Sequence, residues 1–126
     1  MRRLFFSLAT LTALSAWPGS APAELSQGYE KTSEICANAV QAAERRNAIP
    51  KHLLSAIALT ESGRWSTKRQ ANVAWPWTVS SGGAGQFFET KAEALAEVEF
   101  LLTAGEQNID VGCMQINLRA HAAAFD

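Results

Sequence analysis

Two cysteines, Cys36 and Cys113, are the only ones in a chain of 126 residues, and they stand far apart in it. What they can do depends on where the chain goes. Its first segment, MRRLFFSLATLTALSAWPGSAPA, has Arg2 and Arg3, then an apolar stretch broken by Ser and Thr, then Ala21-Pro22-Ala23. That is the charged start, apolar middle and small-residue cleavage site of a secretory signal, which predicts residues 1–23 as a signal peptide and 24–126 as the mature domain. The apolar run is too short and too polar for a permanent membrane span. No cysteine follows the cleavage site to carry a lipid. The expected location is outside the cytoplasm, periplasmic or secreted. In such an oxidising compartment two cysteines invite a disulfide, and only one pairing is available. Closing so long a loop contributes roughly 4 kcal/mol in the chain-entropy model. The rival is a zinc site of both cysteines with His52 and His121, but the closely spaced ligand pairs typical of zinc are missing. The disulfide is the better reading, and no metal or cofactor is expected.

The mature part keeps all 12 acidic residues and loses two arginines, so it is net acidic. It carries no basic stripe, which excludes nucleic-acid binding as a function class. Arg45-Arg46 reads as a solvated helix face. The length allows one domain.

Residues 24–30 read as a mobile start. From about Lys31 to Arg46 an amphipathic helix is predicted, with Ile35, Ala39, Ala42 and Ala43 on its apolar side. Pro50 suits the first turn of a second helix, which runs to about Glu61 and is capped by Gly63. Residues 64–72 read as a polar connection. In WPWTVSSGGAGQFFET, the alternation of Trp75, Trp77 and Val79 and the Gly82-Gly83 pair predict a β-hairpin. These glycines do not make a dinucleotide fingerprint. Thr90 and Glu93 form a capping box for a helix from Lys91 to about Thr103, with Leu95, Val98, Leu101 and Leu102 on its buried face and Gly105 at its end. NIDVGCMQINL reads as tight and partly extended, and RAHAAAF as the start of a further helix. That last helix has little to pack against, so the sequence reads as ending inside a larger fold.

One residue of the second helix stands out. At 100° per residue, Leu53, Ile57, Glu61 and Leu54 fall at about 0°, 40°, 80° and 100°, so Glu61 sits within an apolar stripe. The negative end of the helix dipole and an apolar surrounding both disfavour its carboxylate. A carboxyl kept protonated near neutral pH can serve as a general acid, as in the lysozyme pattern of a glutamate in a hydrophobic pocket. The plainer reading pairs Glu61 with Arg64 or Lys68. Trp65, Trp75, Trp77, Phe87 and Phe88 cluster downstream. Sugar rings stack on such faces, and the two tryptophans flanking Pro76 suit a cleft wall better than a core.

AIALTESGRW and NIDVGCMQINL resemble the two signature segments of lytic transglycosylases with a lysozyme-like domain, the soluble-lytic-transglycosylase type. There a helix ends in a catalytic Glu-Ser, here Glu61-Ser62-Gly63. A Gly-[Leu/Ile]-Met-Gln-Ile-Asn segment follows, here Gly112 to Asn117. AIPKHLL, the alanine-rich first helix and the WPWTVSSGGAGQFF insert also fit, so the likeness spans residues 31 to 125.

The resemblance implies an α+β, mainly α, lysozyme-like fold with a small hairpin beside the cleft. It implies a peptidoglycan lytic transglycosylase cutting the MurNAc-GlcNAc β-1,4 bond and leaving a 1,6-anhydro end. Glu61 would be the acid and base. Ser62, Met114, Gln115, Asn117, Trp75 and Trp77 would meet the glycan strand. Two departures are visible. Cys113 replaces the usual Leu or Ile, which suits a bridge from Cys36 that fixes the cleft floor. The family's later helices, with a tyrosine facing the glutamate, have no counterpart, since the only tyrosine is Tyr29. The chain therefore reads as lacking the C-terminal helices of the domain. The alternatives are a hydrolytic muramidase with Asp110 as second acid, and a non-catalytic glycan-binding or secretion-accessory module. A secretion-system or flagellar assembly is a candidate partner.

Overall fold

The structure is a computed structural model that describes residues 23–125, so the predicted signal segment lies outside the described residues except for Ala23. Three α-helices and two small antiparallel sheets give a mixed α+β architecture. Among the described residues no helix is long and apolar enough to cross a membrane.

Helix α1 runs from Ala23 to Arg46, so the expected mobile start is its opening turns. Its buried stripe is Ser33, Cys36, Val40 and Glu44, spaced three and four residues apart. The stripe expected from Ile35 and Ala39 faces solvent. The covered side includes a serine, a cysteine and a glutamate, so apolar periodicity misplaces it. After α1 the chain reverses through Ala48 in the left-handed region (φ 52°). The Ile49 N–H reaches the Glu44 carbonyl at 3.0 Å, closing a Schellman-type end without glycine.

Helix α2 spans Leu53–Ser62 with His52 as its N-cap residue, so Pro50 precedes the helix rather than opening it. It buries Ala58 and Ser62, while Leu53, Ile57 and Leu59 are exposed. The stripe containing Glu61 thus faces outward, which corrects the expected core-facing glutamate. The small residues let the helix approach α1 closely.

The stretch expected as a polar connection is a hairpin, β1 (Gly63–Ser66) with β2 (Ala71–Ala74), in the register Gly63↔Ala74 and Ser66↔Ala71. Gly63 caps α2 for a steric reason. Its φ is an ordinary −67°. A Cβ there would lie 2.2 Å from the Leu59 carbonyl oxygen.

The predicted second hairpin is present as β3 (Thr78–Ser81) and β4 (Ala84–Phe87). Gly82 and Gly83, at φ 60° and 84°, make the two-residue turn with positive φ at both positions that such a hairpin favours. Helix α3, Lys91–Thr103, opens on the predicted Thr90–Glu93 capping box. It ends where Gly105 and Glu106 donate to Leu102 and Leu101, at 3.0 Å each. Ala94 packs in a core with Val79 and Ile109, joined by Val98, Leu101 and Trp77. Leu95 and Leu102, expected on the buried face, are exposed. Strands β5 (Ile109–Val111) and β6 (Ile116–Asn117) complete a sheet ordered β4-β3-β5-β6. The chain then forms one 3₁₀ turn, Ala122–Ala124, rather than the start of an α-helix.

Candidate functional site

The C-terminal end of α2 meets the turn between β5 and β6. Ser62, 1 % exposed, donates its hydroxyl to the Cys113 carbonyl at 2.9 Å and to the Ala58 carbonyl at 3.1 Å. The Trp75 N–H donates to the Ser62 carbonyl at 2.9 Å. Cys113 is disulfide-bonded to Cys36 of α1, with Cα atoms 5.5 Å apart. The predicted pairing is therefore present, and it takes both cysteines out of any zinc site. Helix α1, the end of α2 and the Gly112–Asn117 segment are tied together at one point.

Glu61 stands next to this anchor and is exposed. The apolar surrounding expected around it is missing. The two nearby cations are engaged elsewhere: Arg64 pairs with Glu89 at 3.0 Å, and Lys68 approaches Glu30 at 3.6 Å. A free carboxylate at the end of a helix can exchange protons with a ligand laid across it. Glu61 lines neither of two hollows in the fold. One runs between α1, α2 and β2 beside Cys36 and Leu59, the other along Trp77, Leu95, Val98 and Phe125.

The β5–β6 turn is braced from inside. Gly112 and Gln115 both have positive φ, 76° and 47°. The Gly112 N–H donates to the Thr78 carbonyl at 2.8 Å. The Gln115 amide nitrogen donates to the carbonyls of Gly112 and Thr78, at 3.0 and 3.3 Å, and its oxygen accepts from the Ser80 hydroxyl. Asn117 donates to Asn108 and Asp110, at 2.8 and 2.9 Å, and accepts from the Ala120 N–H at 3.0 Å. Both amides expected to meet a sugar are thus committed to shaping the turn. Met114 is half-buried in it. Asp110 sits on β5 opposite Asn117, held by that cross-strand bond.

The tryptophans divide differently from the expectation. Trp75 is fully buried, stacks on Tyr29 at 4.8 Å and donates its indole N–H to the Phe88 carbonyl at 2.6 Å. The Arg64 guanidinium lies over its ring at 4.4 Å. Trp75 is a core residue, and its placement in a cleft wall is corrected. Trp77 is half-buried against the Val79–Ala94–Ile109 core. Trp65, on β1 and 56 % exposed, is among the described residues the tryptophan that offers a face to solvent. It lies four residues beyond Glu61, and period-two alternation along Gly63–Ser66 was the signal that could have singled it out. His52 and His121 are both exposed.

No protein-family model matches the chain, and neither a curated protein nor a solved structure shows significant similarity to it. What the geometry itself defines is a mixed α+β domain with a disulfide-anchored junction beside an exposed carboxylate that has no partner among the described residues.

Proposed function

We propose that this protein is a peptidoglycan lytic transglycosylase of lysozyme-like type, with Glu61 as its single acid and base. One observation carries the reading. The two segments that resemble the family's signatures lie 51 residues apart in sequence, yet meet through the Ser62 hydroxyl and the Cys113 carbonyl. The disulfide fits an oxidising compartment outside the cytoplasm.

In this reading Glu61 protonates the glycosidic oxygen between N-acetylmuramic acid and N-acetylglucosamine. The substrate's own N-acetyl oxygen attacks C1 as that bond breaks, giving an oxazolinium. Glu61, now a carboxylate, takes the proton of the C6 hydroxyl. O6 displaces the acetamido oxygen at C1, and a 1,6-anhydro sugar is released without water. One carboxylate serves both steps, whereas most glycosidases use two. Trp65 is the exposed indole open for a sugar ring. Gln115 and Asn117 act by holding the turn to which Ser62, next to the glutamate, is bonded.

A second reading, a non-catalytic glycan-binding or secretion-accessory module, is favoured by the exposure of Glu61 and the internal use of both amides. Mass spectrometry of peptidoglycan incubated with the oxidised protein separates the two. Products one water lighter than hydrolytic fragments, lost in Glu61→Gln, are expected. Reducing ends would mean a muramidase instead. Glycan binding that survives Glu61→Gln, with no products from either protein, would establish the binding module.

A further inference from the structure

Helix α2 lacks a cap of its own. Its N-cap residue, His52, is in the left-handed region (φ 70°) and makes no side-chain cap. An N-cap side chain ordinarily accepts from the second and third amides of the helix. Here those amides belong to Leu54 and Ser55, and both donate to Glu44 Oε1, at 2.9 and 3.2 Å. The other oxygen, Oε2, accepts from the His52 N–H at 3.1 Å. Glu44 belongs to α1, and only 5 % of it is exposed. Its main-chain carbonyl also closes the end of α1 by accepting from Ile49. One residue therefore ends the first helix and begins the second.

We propose that Glu44 is a positioning residue, a cap lent by α1 that fixes the start and direction of α2 and so the place where Glu61 is presented. The carboxylate suits the task, because the first turn of a helix carries partial positive charge. Burial opposes its ionisation. The N–H groups of His52, Ser55 and Leu54 outweigh that opposition, with a further contribution from the His52 charge, and hold its pKa below the usual glutamate value. A depressed pKa means that the cap is complete at neutral pH and fails only as the pH falls through that lowered value. From the cap to Glu61 the helix runs about 12 Å, so a small tilt at its start is carried to the carboxylate.

The consequence for turnover rests on the transglycosylase reading, whereas the consequence for the helix does not. The test is amide hydrogen exchange and residual dipolar couplings by NMR on wild type, Glu44→Ala and Glu44→Gln, with release of anhydro products measured on the same samples. In Glu44→Ala the Leu54 and Ser55 amides should exchange at least tenfold faster, and the couplings along α2 should shift. The Glu93 amide, capped by Thr90, serves as the internal reference and should not change. Glu44→Gln keeps the shape but presents an N–H group to one of the donors. It should give a smaller shift of the same sign, and it serves alone if the alanine variant does not fold. Turnover in the glutamine variant should fall about tenfold in kcat with KM unchanged, whereas a general loss of fold would remove active protein without that split. Unchanged exchange and couplings in both variants would overturn the proposal. So would released amides with an unchanged kcat. If wild type yields no Glu61-dependent products, the transglycosylase reading fails, and exchange and couplings still decide whether Glu44 sets α2.

Discussion

From Thr78 to Glu106 the turns are shaped chiefly by residues inside them, whereas from Ala23 to Ala74 residues of other elements also hold the turns and helix ends. In the later region Gly82-Gly83 makes the hairpin, Thr90 and Glu93 open α3, and Gly105 closes it. In the earlier region Glu44 of α1 opens α2, Ser62 fastens the end of α2 to Cys113, and the Cys36–Cys113 bridge spans 77 positions. Even the β1–β2 turn is held from α1, with Arg69 donating to Glu30 at 3.0 Å and to Glu34 at 3.2 Å. The difference is one of dependence. The later region needs its own sequence, and the earlier one needs the rest of the molecule. The residue proposed for chemistry, Glu61, lies in the dependent region.

Removing the bridge should break that region first and most. Cys36→Ser combined with Cys113→Ser should cost about 4 kcal/mol, the loop-closure contribution of a cross-link this long. Thermal unfolding of the double variant, and of wild type with and without reductant, measures it. If the transition moves by less than about 1 kcal/mol, α1 is held to the β5–β6 turn by packing and hydrogen bonds alone, and the contrast between the regions weakens.

Ser62→Ala tests the same junction without touching the covalent tie. It strips the Cys113 carbonyl of its partner in a place that is nearly closed to water, so a loss of about 2 kcal/mol is expected. Chemical denaturation gives the number. Exchange at the Trp75 amide, which donates to the Ser62 carbonyl, shows whether the loss is local. A change near zero would mean that the bridge alone holds the end of α2.

Thr90→Ala is the matching experiment in the self-contained region. It removes one side of the capping box and should cost about 1 kcal/mol. The loss should stay within α3, leaving exchange at Leu54 and Ser55 unaltered. Spread of the effect to α2 would show that the regions are more tightly coupled than their contacts suggest.

The same division explains what could be read from the chain. The Gly-Gly hairpin, the boundaries of α3 and its capping box were legible because each signal sits in a window of a few residues. The disulfide was legible by counting, since two cysteines allow one pair. The rotation of α1 was not, because its covered stripe includes the polar Ser33, which bonds back to the Glu30 carbonyl of its own helix, and Glu44, which bonds to the start of α2. The outward facing of Glu61 was missed for a related reason. Helix α2 packs through Ala58 and Ser62, so its larger apolar residues mark the wrong side. The β1–β2 hairpin hid in a polar stretch because its turn residue Arg69 is held from outside, by Glu30 and Glu34 of α1. Within the candidate site, Glu61 and Ser62 were identifiable as residue types. The inward commitment of Gln115 and Asn117, and the burial of Trp75, depend on contacts that no local pattern encodes, whereas the alternation along Gly63–Ser66 marks Trp65.

The smallest effect on stability is expected at Trp65, and it bears most directly on function. With its ring 56 % exposed, Trp65→Ala should change folding stability by no more than about 0.5 kcal/mol. If that ring is the stacking surface for a sugar, the variant should lose most of its affinity for glycan strands while keeping the wild-type unfolding transition. Tryptophan fluorescence reports this in wild type, because the emission of an exposed indole responds to a bound sugar and that of the buried Trp75 does not. Retained affinity in Trp65→Ala would leave the junction at Ser62 and Cys113 without an aromatic contact for its ligand, and would move the search for the binding surface to the exposed Leu53–Ile57 side of α2.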